Sequence, residues 1–488
     1  MMQYPDEIIA AIRAFEATPG PLPLHCGVQH YSWGDPDFIP ALIGVRNPGR
    51  LPFAERWVGA HADLPSTVQL GGCRLSLAEL IAAAPITLLG AQAASDFNNQ
   101  LPFLLKILAA REPLSIQAHP TREQAIAGYQ HEDAIGLPLT DPRRSYRDCN
   151  HKPELLVALT DFYALRGFRP LPEINAELAA TPELAPLRAR FEPSPNGLLH
   201  LYRWLMQLEQ AQVNALLAPL IRRLQRERAG TTRAATRLDP SGRHERDRHK
   251  RDRHERDRHE RDLSERDLSD WDHWDWLLTA DRIFSTNGQH DRGLFSLLLL
   301  NLIALKPGAA LFLPAGELHA YLHGAAIELM ANSNNVLRGG LTEKHIDVPA
   351  LLTTLRVDPA PAVVLQPQPP AGPGLPATYA TPTREFLLER YQLSAGEHCL
   401  INRGGAAQPE QALMPGISHP LNTAASPETA ASLAKLRLGL LLDGEVSLHS
   451  PKQAPLILKR GAAFVLPAAC RSELRGARQS LLFMARLP

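Results

Sequence analysis

Gln117 and His119 stand two apart in the stretch Ser115-Ile116-Gln117-Ala118-His119-Pro120. On a strand, residues i and i+2 face the same side, so both side chains can point into one cavity. Glu154 closes Asn150-His151-Lys152-Pro153-Glu154 and precedes the apolar run Leu155-Leu156-Val157-Ala158-Leu159, which offers a carboxylate at a strand entry. His319 lies in Pro314-Ala315-Gly316-Glu317-Leu318-His319-Ala320-Tyr321-Leu322, after the Pro307-Gly308 pair and the apolar run 310–313. That order reads as turn, buried strand, tight corner and second strand, with the His319 ring aimed into the cavity of a small β-barrel. Gln117, His119, Glu154 and His319 would together give two nitrogens and two oxygens, a set that suits zinc with one position open to water or substrate. A single carboxylate leaves a divalent ion with net positive charge, and hence with its Lewis acidity. No two cysteines in the chain stand at metal-type spacing, so a thiolate-closed structural site is not on offer.

Each of these residues also has an ordinary explanation. A histidine in an apolar stretch is more often a hydrogen-bonded core residue than a ligand. Gln117 fits a polar strand residue and Glu154 a surface carboxylate. His25, His30, His61, His131, His151 and His345 are equally available from composition alone. Spacing by itself leaves the ligand set open.

The elements that must position such a site are mostly strands. From Leu24 onward, short apolar runs alternate with Gly, Pro and Asn, as in residues 29–34 and 52–59. Residues 101–108 open a buried strand, 115–120 form the next, and a strand region runs from Leu294 to Asp347. Residues 75–89 read as one helix, and residues 1–20 as an amphipathic helix ended by Pro19-Gly20-Pro21. Residues 171–240 differ in texture. Val213, Leu216, Leu217, Leu220, Ile221 and Leu224 fall at helical spacing, with Pro219 inside the pattern, where a kink is expected. An earlier helix covers 197–210. From His244 a five-residue unit such as His-Glu-Arg-Asp-Arg recurs to 268. It has almost no apolar residues to offset the entropy of ordering, and its alternating charges cancel, so it reads as a solvated tract. The Pro-rich stretch 359–382 reads as a linker.

One internal match stands out. Residues 305–315 (Leu-Lys-Pro-Gly-Ala-Ala-Leu-Phe-Leu-Pro-Ala) parallel 458–468 (Leu-Lys-Arg-Gly-Ala-Ala-Phe-Val-Leu-Pro-Ala), which implies two copies of one β-barrel unit. Ser472 falls where His319 stands in the first copy, so the second copy is expected to be metal-free.

The 488 residues imply two or three domains with a full-sized core. Lys plus Arg and Asp plus Glu balance at 51 each, which leaves no basic field to hold nucleic acid. The five cysteines are scattered without metal or redox spacing, as expected of reduced thiols in the cytoplasm. The first sixteen residues are acidic and helical rather than basic and then apolar, unlike a secretory signal. The longest apolar run, 294–305, is too short to span a bilayer and contains Asn301.

Several long motifs, in order, resemble the mannose-6-phosphate isomerases of the cupin superfamily, type I. They are residues 101–108, 113–120, 150–154, 164–170, 314–322, 328–342 and 344–347. The resemblance implies a fold that is mainly β with an α-helical insertion: two cupin-type, jelly-roll β-barrels plus a helical domain. The catalytic barrel would take residues 1–170 and 285–355. The helical insertion would take 171–284, including the charged repeat at 243–268. A linker and a second, metal-free barrel would take 356–488.

The resemblance also implies a zinc-dependent aldose–ketose isomerase acting on a small sugar phosphate, with one Zn2+ on Gln117, His119, Glu154 and His319. Ser115, Lys106 and Lys344 match positions that the family uses for the phosphate. Arg338 matches its catalytic arginine, and Glu328 and Lys152 match residues placed beside the moving proton. Asn334 replaces an Asp usual in the family's Ser-Asp-Asn-Val run, and Glu343 a Pro usual before the lysine. Neither change removes a ligand or a charged catalytic group. A cytoplasmic monomer with no nucleic-acid or membrane partner is expected. Two rival readings are a non-catalytic sugar-binding cupin and another metal-dependent cupin enzyme such as an oxygenase. Retention of Glu328, Lys152 and Arg338 argues against the first. The amide ligand and the phosphate-type lysines fit the second poorly.

Overall fold

A computed structural model describes residues 4–236, 268, 271–372, 374–402 and 435–488. The charged repeat lies, except for Leu268, outside the described residues. The strand His319–Ala331 organises what surrounds the candidate ligands. Its first residues pair with Ile116–Ala118 and Phe162–Phe168, and its second half pairs with Phe103–Ala110 and Glu154–Ala158, all antiparallel. A register shift between Tyr321 and His323 lets one strand serve both sets of partners. One added residue reverses the face that each following side chain takes. Before the shift, Tyr321 packs inward with Leu156 and Phe162, while Ala320 and Leu322 pack on the helices. After it the parity exchanges: Ala326 joins the inner cluster, and Ala325, Ile327 and Leu329 turn outward. His319, Tyr321 and Glu328 thereby reach one side.

Phe103–Ala110 follows the same two-residue rule inside a wholly buried run. Leu108 and Ala110 point inward, and Leu105, Ile107 and Ala109 outward. Parity puts Lys106 on the inner side. Ten strands, among the described residues, make up this sheet. The helices Leu171–Ala180, Pro195–Met206, Gln210–Thr236 and His273–Phe284 cover its outer face. Ile174, Leu201, Leu217, Leu220 and Trp276 share one core there with Ile116, Leu165 and Leu322. The apolar stripe read over 213–224 is therefore the buried face of a helix, and that helix runs on through Pro219.

The C-terminal part forms a six-stranded and a four-stranded sheet, among the described residues, with Tyr391, Val446, Phe464, Leu474 and Leu482 packed in one core. The strand Leu22–Leu24 joins that six-stranded sheet by pairing with Ala463–Val465. The internal match is visible in the backbone. Ala310–Leu313 and Ala463–Leu466 are equivalent strands, preceded by Gly308 at φ 89° and Gly461 at φ 81°. The strands that follow begin at His319 and Ser472.

Three local expectations change. Residues 75–89 are a strand, Cys73–Ser76, and two helices, Leu77–Ala83 and Pro85–Leu89. Ser76 and Glu79 close a capping box that starts the first helix, and Pro85 cannot extend it because proline lacks an N–H. Leu294–Leu299 is helical before the strand Leu300–Leu305 begins. An apolar run buried on all sides carries no period to tell the two apart. The Pro-rich stretch is not free of the sheet: Ala310 and Leu365 exchange backbone hydrogen bonds of 2.9 and 2.8 Å. Its non-proline residues keep the N–H groups that a sheet edge needs.

Gly324 is the position where the bulge demands glycine. Its φ is 112°, and a Cβ there would meet the Asp161 carbonyl oxygen at 2.5 Å. Gly324→Ala should cost about 1–3 kcal/mol in urea unfolding, the scale of such backbone strain. Gly44→Ala, at positive φ but with open space around it, should cost less. Equal costs would show that the bulge tolerates a side chain.

Candidate metal centre

His119 follows the strand Ile116–Ala118, Glu154 opens Glu154–Ala158, and His319 opens His319–Ala331. The three are 1%, 2% and 3% exposed. One ligand atom from each lies within 4.8 Å of the others. His119 Nδ1 is 2.8 Å from the Asn335 carbonyl oxygen, and His319 Nδ1 is 3.0 Å from that of Glu317. A carbonyl can only accept, so both Nδ1 atoms carry the proton and donate it. Each Nε2 is then a bare lone pair. Both face the Glu154 carboxylate, at 3.4 Å to Oε1 and 3.4 Å to Oε2. Among the described residues, His119 Nε2 has no hydrogen-bond partner.

Burial drives the His119 imidazole down to a pKa of about 4, and the Lys152 charge adds to the shift. Burial would raise the Glu154 carboxyl, yet the Lys152 ammonium, 2.9 Å away, holds it well below its ordinary value. Two neutral acceptors and one anion thus converge in a dry place. That arrangement repels itself and accepts a cation, as expected of a zinc site whose histidines are anchored through their other ring nitrogens. Gln117 sits beside it: cross-strand pairing sets Gln117 opposite both His319 and Arg338. Its Nε2 donates to Ser115 Oγ at 3.4 Å.

A chain of buried acids and bases leads away from this point. The Tyr321 hydroxyl donates to Glu328 Oε1 at 2.9 Å and lies 3.5 Å from Glu154 Oε2. Burial, Glu328 and Glu154 push its pKa well up, so it keeps its proton. Lys106 Nζ donates to Glu328 Oε2 at 3.0 Å and is 3.6 Å from Glu55. Burial would lower the Lys106 ammonium, but Glu328 and Glu55 raise it. Glu55 also accepts from Trp57 Nε1 at 2.7 Å.

Arg338 and Lys344 have different company. Burial and the nearby Arg147 lower Arg338, while burial, Arg338 and Arg147 lower Lys344. Repulsion among three cations is relieved by an anion. The sequence reading did not assign roles to Tyr321, Asn335, Glu55 or Arg147. Tyr321 had a signal, since it stands two residues from His319 on one strand. Asn335 takes the His119 proton through its backbone carbonyl, which no residue type announces.

A family model described as phosphomannose isomerase type I, catalytic domain, matches residues 22–171. Mannose-6-phosphate isomerase of Escherichia coli (strain K12) is 36% identical over 382 residues, covering 78% of this chain and 85% of that one. The chain belongs to the type I phosphomannose isomerase family. The Mus musculus enzyme is 32% identical over 372 residues, covering 71% and 75% of the two chains. Mannose 6-phosphate isomerase from Salmonella typhimurium, solved with substrate and zinc bound, superposes with a TM-score of 0.72 at 28% identity, covering 96% of this chain and 99% of that one. A zinc-bound form of mannose 6-phosphate isomerase gives the same TM-score and coverage. The cupin-type fold expected for the family agrees with this sheet-rich architecture.

Glu154→Gln keeps the shape of the phosphomannose isomerase site and removes its anion. Zinc affinity, read by competition with a chelator, should fall by at least about 10–100-fold, the loss typical even when only a ligand's hydrogen-bond partner is removed. Unchanged affinity would place the ion elsewhere.

Proposed function

We propose that this chain interconverts mannose 6-phosphate and fructose 6-phosphate through an enediol, as a zinc-dependent isomerase. The observation that carries this is the pair of bare Nε2 lone pairs held against one buried carboxylate, in a chain of this family. Gln117, His119, Glu154 and His319 would hold the zinc. When bound, zinc supplies Lewis-acid stabilisation to an oxygen that gains negative charge. Arg338 adds a fixed positive charge for the same oxygen.

Glu328 is the base that takes the proton from one carbon and returns it to the next. Tyr321 and Lys106 hold its two carboxylate oxygens by hydrogen bonds, which fixes where the proton is taken up. Lys152 is the other candidate, but its ammonium is engaged by Glu154. Ser115 and Lys344 anchor the phosphate, with binding energy that orients the reacting end. Lys106 suits the proton-transfer end better than the phosphate, because its charge is committed to Glu328 and Glu55.

The architecture we favour is two cupin barrels with a helical insertion over 171–284, the first barrel from 1–170 with 285–355 and the second within 356–488. Pairing of Leu22–Leu24 with Ala463–Val465 supports moving that N-terminal strand into the second unit. No helix among the described residues is long and apolar enough to cross a membrane. A cytoplasmic monomer that needs no nucleic acid remains our reading from the sequence.

Isomerisation of mannose 6-phosphate should vanish on chelation and return with zinc. Persistent turnover in metal-free protein would refute the proposal. Two variants separate the ends of the site. Glu328→Gln should lower kcat by about 10²–10⁴-fold, the range of general acid–base help, while zinc stays bound. Lys344→Met should raise KM with kcat and zinc content nearly kept. The reverse pattern in either variant would reassign that residue.

A further inference from the structure

Glu385 belongs to the C-terminal part of the chain, in the turn between the strands Ala377–Tyr379 and Leu387–Leu393. It is 1% exposed, although most turn carboxylates face water. A buried anion must be neutralised or hydrogen-bonded. Within its own turn it accepts from the Thr383 hydroxyl and stands 3.5 Å from Arg384. Its other partners come from far away in the sequence. His151 Nε2 donates to Oε1 at 2.9 Å, and Arg122 Nη2 donates to the same oxygen at 3.3 Å.

Those two partners are not random surface residues. His151 immediately precedes Lys152 and lies three residues before Glu154. Arg122 lies three residues after His119, at the first position of the helix Arg122–Ala134. One buried oxygen from a distant segment therefore ties together the two backbone arms that deliver His119 and Glu154. Pro120 and Pro153 stiffen each arm between tie and ligand. The carboxylate also fixes the His151 tautomer, since it can only accept and Nε2 must carry the proton. Burial would raise the Glu385 carboxyl, but His151 and Thr383 bring it to about 2, so the tie stays ionised.

We propose that Glu385 is a positioning residue for the metal centre, acting through His151 and Arg122 to hold the His119 and Glu154 arms in register. The C-terminal part that carries Glu385 then contributes to the site without lending it a ligand. This rests on the reading of His119 and Glu154 as zinc ligands, and the test is arranged so that the two fail separately.

The full-length protein is compared with Glu385→Ala, Glu385→Gln and His151→Ala, and with the double variant Glu385→Ala/His151→Ala. Zinc affinity is measured by chelator competition, kcat and KM with saturating zinc, and thermal unfolding of metal-free protein. Glu385→Ala should weaken zinc binding and lower kcat by about tenfold each, the scale seen when a ligand loses its support, with KM within about twofold. Glu385→Gln keeps an accepting oxygen and should recover most of the loss. In the His151→Ala background, Glu385→Ala should cost several-fold less, because residues in one network are non-additive. Full additivity, or a lower melting temperature with zinc affinity and kcat intact, would overturn the proposal. Wild-type protein that binds no zinc would instead defeat the reading on which it rests. Should Glu385→Ala fail to fold, His151→Ala and Arg122→Ala decide, since each cuts one arm of the tie: each should weaken zinc binding several-fold, and wild-type zinc affinity in both would overturn the proposal.

Discussion

Two imidazoles, each with its only proton already given to a backbone carbonyl, face the same buried carboxylate. Nothing in that trio can donate to anything else in it. Left alone, the lone pairs of His119 and His319 and the anion of Glu154 repel one another in a place with little water to screen them. Much of the local structure makes sense as the apparatus that holds this unfavourable meeting in place. Asn335 is the clearest part of it. Its carbonyl takes the His119 proton, while its side chain accepts from the Arg147 and Asp148 amides and donates to the Asp148 and Asn150 carbonyls. One fully buried residue thus anchors His119 from one segment and the loop that leads to Glu154 in another.

Around this point the polar groups sort by distance from it. Closest is the set that faces a cation. Next comes Tyr321, whose retained proton separates Glu154 from Glu328 and lets two carboxylates share one pocket without sharing a proton between them. Beyond Glu328, Lys106 and Glu55 end the network at Trp57, over whose ring the Lys106 ammonium sits at 5.1 Å. The cations Arg338, Lys344 and Arg147 form a second group, with no acid paired to them among the described residues. A sugar phosphate spans the same range of chemistry: a carbonyl end that accumulates charge and a phosphate end that already has it.

The main lines of this were legible in the sequence because they depend on periods and on chain order. Gln117 and His119 at i and i+2, the carboxylate before an apolar strand, and the apolar stripe over 213–224 all follow from local geometry. What was not legible depends on long-range register. The run 103–110 is buried throughout, so nothing in its composition says that Lys106 faces Glu328 rather than solvent or phosphate. The bulge at Tyr321–His323 decides that Glu328 shares a side with His319, and only Gly324 hints at it. Leu294–Leu299 is helical for reasons of packing that no pattern records. Lys152 and Glu154 illustrate the opposite case: they stand two residues apart in the sequence, and they form an ion pair.

On this reading, histidine nitrogens and oxygen donors, with no sulfur, enclose one zinc ion. X-ray absorption of the zinc-loaded protein tests it directly. The expected spectrum shows a first shell of nitrogen and oxygen at about 2.0–2.1 Å, with the outer-shell scattering of two imidazoles. It should lose one imidazole in His119→Ala and one in His319→Ala. A sulfur shell near about 2.3 Å, or an unchanged spectrum in both variants, would contradict it.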